Sequence, residues 1–198
     1  MIDPYDLTKP WDAVRLQEWF LFGVCVAGKN ARQTAAKVEA MLEDMRFQGD
    51  DKIVGYPVFF AHATPFAAIE TAIKLGKLGR YLRKHKLGQY KRINKAFRGM
   101  IKIDPATVTL EELERIHGVG AKTARMLLLY TRPNQEMIPL DTHILKWLRA
   151  NGYDAPKGTP PPGKKYRELE LAFLREGKKR GLNAKEWDTQ VWQQYAKG

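Results

Sequence analysis

Residues 109–131 read TLEELERIHGVGAKTARMLLLYT, two helical patterns divided by a pair of glycines. Thr109 and Glu112 have the spacing of a capping box, in which the threonine side chain accepts from a first-turn N–H and the glutamate reaches back to the threonine N–H. The spacing predicts a short helix over 110–116, with Leu110, Leu113 and Ile116 on one face. After His117-Gly118-Val119-Gly120, the positions Ala124, Leu127, Leu128 and Tyr130 again have helical spacing. Gly118 and Gly120 permit a backbone too tight or too left-handed for a Cβ. The stretch therefore reads as helix, two-glycine hairpin, helix, and the N–H groups at the start of the second helix can cradle a phosphate.

Lys122 falls in the first turn of that second helix, and Asp141 follows 19 residues later, after Ile138-Pro139-Leu140. Asp141 is placed to cap a third helix that buries Ile144, Leu145 and Leu148. Each residue has two readings. A lysine beyond a Gly-x-Gly turn contacts phosphate in plain DNA-binding modules, or serves, as a neutral amine, as a nucleophile. An aspartate opening a helix is a cap, or a carboxylate that stabilises a cation during reaction. His143 reads as a residue that orders the same helix start.

The charge distribution narrows the partner. Between residues 74 and 102 there are 11 Lys or Arg and no Asp or Glu, so this segment accounts for all but one unit of the +12 formal charge. A polyanion is the simplest partner for such a run, and Lys84, Lys91 and Arg92 are its candidate contacts; a solvated basic face would read the same way. Cys25 is the only cysteine, which excludes an intramolecular disulfide and a four-thiolate cluster; in its apolar surroundings it reads as a small core residue. The N-terminal ten residues are polar, and no run approaches the ~20 apolar residues of a membrane span. A soluble intracellular protein, cytoplasmic or nucleoid-associated, is the expectation.

Residues 11–26 are apolar nearly all round after Glu18, as a central buried helix requires. Ala27-Gly28-Lys29-Asn30 breaks this helix, and Asn30 can cap the next, over 31–45, with a buried stripe of Ala35, Val38, Met41 and Leu42. Residues 47–62 are irregular but rich in aromatics, a loop expected to pack on the core. Thr64-Pro65 opens a helix to about residue 75, and segments over 78–87 and 89–101 follow. Prolines and glycines over 151–163 form a connection that cannot be helical. A helix over 164–177 then precedes a final one, opened by Asn183 and Glu186 and carrying Trp187, Val191, Trp192 and Tyr195. The fold class is all-α, with about nine or ten helices and no competing strand pattern. The C-terminal tryptophans pack in the core or stack on a bound base.

Leu113-x-x-Ile116-His117-Gly118-Val119-Gly120-Ala121-Lys122-Thr123-Ala124, followed by Ile138-Pro139-Leu140-Asp141-Thr142-His143-Ile144, resembles the helix-hairpin-helix and Gly/Pro-Asp signature of the base-excision DNA glycosylase superfamily. His117 stands where that family commonly has proline. The resemblance implies two helical lobes, residues 1–30 with 151–198 and residues 31–150, with a DNA-binding cleft between them. It implies Lys122 as Schiff-base nucleophile and Asp141 as catalytic carboxylate. His117, Gly118, Val119, Gly120 and Thr123 would lie at the DNA backbone, and Lys29, Asn30 and Arg32 at the minor groove, unless that turn is merely a capped polar one. Gly28, Trp187 and Trp192 would border the base pocket.

With a single cysteine, too few for a four-thiolate iron–sulfur cluster, the likeness is to the cluster-free 8-oxoguanine branch, and no cofactor or metal is expected. The implied activity is a bifunctional glycosylase and abasic-site lyase. It rotates a damaged base out of duplex DNA, releases it through a lysine Schiff base and nicks the strand by β-elimination. The implied partner is double-stranded DNA containing a damaged or modified base, with no membrane involved and the protein monomeric. Two alternatives stay open: a transferase of the same superfold that modifies flipped hypermodified pyrimidines, and a non-catalytic helix-hairpin-helix DNA-binding protein.

Overall fold

The apolar run after Asp12 forms α1 (Ala13–Val26), and the Asp12 carboxylate accepts from the Arg15 N–H at 2.7 Å as its N-cap. Residues 19–25 of this helix are all buried, which a segment apolar on every side requires. The computed structural model describes residues 2–3, 9–47 and 64–196, and every regular element among them is a helix, ten in all. The chain divides into two compact units, Met1–Val119 and Gly120–Gly198.

In the first unit α1 is surrounded by α2 (Ala31–Phe47), α3 (Pro65–Lys74) and α5 (Tyr90–Met100). Asn30 caps α2 by accepting from the Gln33 N–H at 3.0 Å, and Ala35, Val38, Met41 and Leu42 form its buried stripe as their spacing requires. The start of α3 is held twice: the Thr64 hydroxyl accepts from Ala67 N–H, and the Gln17 amide oxygen of α1 accepts from Phe66 N–H at 2.9 Å. Two donors that a helix N-terminus leaves unsatisfied thus find partners. The aromatic loop expected over 47–62 lies outside the described residues, apart from Phe47, which ends α2.

Helix α4 (Leu78–Lys84) closes earlier than its apolar pattern suggests, because Lys86, Gly88 and Gln89 take φ of 51°, 65° and 43° and turn the chain into α5. Along α5, Ile93, Ala96, Phe97 and Met100 are fully buried and Lys91, Lys95 and Arg98 are exposed opposite them. The capping box of α6 (Leu110–Arg115) is formed, with Glu112 N–H donating to Thr109 Oγ1 at 3.2 Å and Thr109 N–H donating to the Glu112 carboxylate at 2.7 Å. Ile116 leaves the helix in extended backbone and packs against Gly99 of α5, where a Cβ would meet it at 2.6 Å.

The second unit consists of α7 (Ala121–Thr131), α8 (Thr142–Ala150), α9 (Lys164–Lys179) and α10 (Ala184–Ala196), with α10 packed against the other three. Trp147, Phe173 and Trp187 interlock at its centre with ring centroids 5.2–5.4 Å apart. Helix α9 continues past Gly177, where the sequence suggests a stop. That glycine is a close approach, since a Cβ there would lie 2.8 Å from Trp187 Cδ1. No described helix is long and apolar enough to cross a membrane.

Candidate functional site

Asp141 stands at the end of an extended segment that α9 holds from below. The Tyr166 hydroxyl donates to Ile138 O at 2.9 Å and accepts from Leu140 N–H at 2.9 Å. Fully buried Glu170 accepts from Ile138 N–H at 2.9 Å and from Arg125 at 2.8 Å through the same oxygen, and its other oxygen accepts from Arg167. Arg125 completes the assembly with its guanidinium 4.3 Å from the Tyr166 ring centre. Thr159, in the proline-rich connection, donates to Leu140 O at 2.7 Å. These bonds seat the three residues that deliver Asp141, so its position does not depend on the cap alone.

Asp141 Oδ1 accepts from both His143 N–H and Ile144 N–H at 2.9 Å and so caps α8. Oδ2 has no hydrogen-bond partner among the described residues. Lys122, half-buried in the first turn of α7, makes no hydrogen bond or ion pair among the described residues. Both charges act on a third group, Asp188 of α10, which is 5 % exposed and accepts a hydrogen bond from the Tyr130 hydroxyl of α7.

In the first unit, Gly118 has φ +88°, and a Cβ there would lie 2.9 Å from Arg92 Cγ and 3.2 Å from Arg92 O. Glycine is required at this position on both grounds. Gly120 is the N-cap of α7 in extended backbone and has no side chain to bond the first N–H groups of that helix. His117 is exposed, whereas Val119 and Thr123 are buried and contribute packing.

No protein-family model matches the chain.

Lys29 and Arg92, expected at DNA, direct donors to main-chain carbonyls of the first unit. Lys29 Nζ donates to Cys25 O at 2.7 Å and Leu87 O at 2.6 Å. The Arg92 guanidinium donates to Val24 O at 2.7 Å, to Gly118 O at 2.8 Å and to the Gln89 side chain at 2.6 Å. Both close the carbonyl end of α1, as cations at a helix C-terminus do, and burial lowers the pKa of each. Burial likewise pushes the Cys25 thiol up to about 12, consistent with its reading as a core residue. Asn30 acts as the α2 cap, Gly28 turns the chain at φ +70°, and Arg32 is exposed. Lys84 pairs with Asp44 at 2.7 Å, and Lys91 projects into solvent.

Trp187 is 3 % exposed in the aromatic core of the second unit, the packing role that its sequence position left open beside stacking on a base. It also lines a cavity of about 180 Å³ with Asn134, Gln135, Leu174 and Gly177, and neither Lys122, Asp141 nor Asp188 borders that cavity. Trp192 is half-buried and meets the edge of His143, with ring centroids 6.1 Å apart, at the start of α8.

Tyr166, Glu170, Tyr130 and Asp188 carry polar roles that the periodicity assigned to packing or to nothing. A signal existed: Glu170 lies on the Tyr166–Phe173 face and Asp188 on the Ala184–Val191 face, so each puts a carboxylate on a buried stripe.

Proposed function

We propose that this protein is a DNA glycosylase with abasic-site lyase activity, in which Lys122 attacks C1′ of a flipped nucleotide and Asp141 stabilises the cationic sugar. The observation that carries the reading is a half-buried amine in the first turn of α7 and a carboxylate that caps α8 through Oδ1, both in one unit and neither with a further hydrogen bond or ion pair among the described residues. Asp141 needs only Oδ1 to cap α8, so Oδ2 is available to developing positive charge. A phosphate-binding hairpin is supported by Gly118 in left-handed backbone and by the open start of α7. The exposed basic face of α5 supports binding to the duplex backbone. Trp192, beside His143, is the aromatic best suited to border a flipped base, and 8-oxoguanine is the proposed substrate.

Incubation with duplexes carrying a panel of lesions, with borohydride present, tests this. Wild-type protein is expected to form a covalent protein–DNA adduct and to nick the strand. Lys122→Gln is expected to lose both while remaining folded and DNA-bound, and Asp141→Asn to bind lesion DNA yet cleave at least ~100-fold more slowly. An enlarged base instead of a nick would identify a base-modifying transferase, and no change on any duplex would identify a binding module.

A further inference from the structure

Trp187 is 3 % exposed, and its indole N–H has no hydrogen-bond partner among the described residues. A buried donor without an acceptor is costly, and such atoms are few in folded proteins. Phe173 stacks on the Trp187 ring with centroids 5.4 Å apart, Trp147 meets it nearly at a right angle, and the Arg180 guanidinium lies 4.8 Å from its centre. None of these three side chains carries an acceptor for the N–H. Cδ1, the atom bonded to Nε1, lies 2.8 Å from where a Cβ on Gly177 would stand. Gly177 and Trp187 line the same cavity of about 180 Å³, so the N–H edge of the indole stands at its wall. The other walls limit what fits. Leu174 of α9, Leu182 and Ala184 make the interior apolar, while Asn134 and Gln135, in the turn after α7, add side-chain amides that both donate and accept. Glu136 and Lys178 pair at 2.6 Å with both side chains exposed, and so cancel each other's charge at the rim. An apolar cavity of roughly 150 Å³ takes benzene; this one has room for a single substituted ring and offers that ring a donor.

We propose that this cavity, walled by α9, the start of α10 and the turn after α7, binds a small neutral cyclic amide whose carbonyl oxygen accepts the Trp187 indole N–H. The ring packs on Leu174 and Leu182, and the N–H of the ligand meets a side-chain amide oxygen of the 134–135 turn. A neutral ligand suits a rim whose two charges are already paired. Neither Lys122 nor Asp141 borders the cavity, so the site stands independently of their reading as catalytic residues.

Titration of the ¹⁵N-labelled full chain with 2-pyridone tests this through the Trp187 indole N–H resonance, assigned by its loss in Trp187→Phe. The resonance is expected to shift saturably with 2-pyridone and not to move with benzoate, a charged ring of similar size. Benzene, which has no acceptor, is expected to bind about 10-fold more weakly than 2-pyridone. Trp187→Phe keeps a ring in the core but removes the donor. Ligand-detected NMR is expected to show it weakening 2-pyridone about 10-fold while leaving benzene unchanged. Should that variant not fold, Leu182→Phe, which fills the cavity from a half-buried position, is expected to abolish the shift in a folded protein. A resonance that 2-pyridone does not move overturns the proposal and leaves the N–H to water alone. Benzene or benzoate binding as tightly as 2-pyridone overturns it too, as does an undiminished shift in Leu182→Phe.

Discussion

Lys29 and Lys122 each follow a glycine-containing turn, yet the two units treat these cations in opposite ways. In the N-terminal unit Lys29 and Arg92 are half-buried against the carbonyl end of α1 and direct their donors to Cys25 O, Leu87 O, Val24 O and Gly118 O. In the C-terminal unit Arg125 is neutralised by buried Glu170, while Lys122 has no hydrogen-bond or ion-pair partner among the described residues. A helix C-terminus supplies carbonyls that immobilise a cation; a helix N-terminus presents N–H groups, which cannot. The end of the helix beside which a cation stands therefore decides whether it braces the fold or remains available for chemistry.

The largest expected effect tests the braced member of the second unit. Glu170→Ala leaves Arg125 buried without its carboxylate and frees Ile138 N–H, and should lower stability by about 3–5 kcal/mol in denaturant titration. If the protein stays folded, its activity should fall further than its stability, because the seat of Asp141 is lost. A change below about 1 kcal/mol would mean that the pair does not hold the 138–140 segment.

A sharper contrast compares Arg92→Ala with Lys122→Ala. The first removes bonds to Val24 O and Gly118 O and should cost about 1.5–3 kcal/mol, with Arg92→Lys failing to restore it because an ammonium cannot span both carbonyls. The second should leave stability within about 0.5 kcal/mol while abolishing adduct formation. The reverse order of melting temperatures would break the distinction between the two regions.

The smallest effect concerns exposed Lys91, on the solvent face of α5. Lys91→Ala should change stability by less than about 0.5 kcal/mol, yet reduce the slope of log affinity for DNA against log salt by about 1. A slope that does not move would turn this face of α5 away from DNA.

Helix positions were legible in the sequence because caps and periodicity are local. Thr109 with Glu112, Asn30, Thr64 and Asp141 each act within a few residues, and the structure finds a side-chain cap at every one. Gly177 was misread as a terminator because the close approach of Trp187 that requires it comes from ten residues further along the chain. The carbonyls that Lys29 and Arg92 bond are hidden from sequence for the same reason: positive charge near a turn is visible there, but the distant groups that meet it are not. Arg92 meets Val24, 68 residues away, and Lys29 meets Leu87, 58 residues away.

By itself, then, the sequence determined the helical class, the bounds of most helices, the glycine turn before α7 and the positions of Lys122 and Asp141, all set by interactions spanning a turn or two of helix. Only the tertiary structure decided that the 138–140 segment before Asp141 rests on Tyr166 and Glu170, that Trp187 is core, and that buried Asp188 bonds Tyr130. The reason is burial. Whether a carboxylate on an apolar stripe is paired, protonated or reactive depends on which distant groups the packing of helices brings to it, and no spacing along the chain encodes that distance.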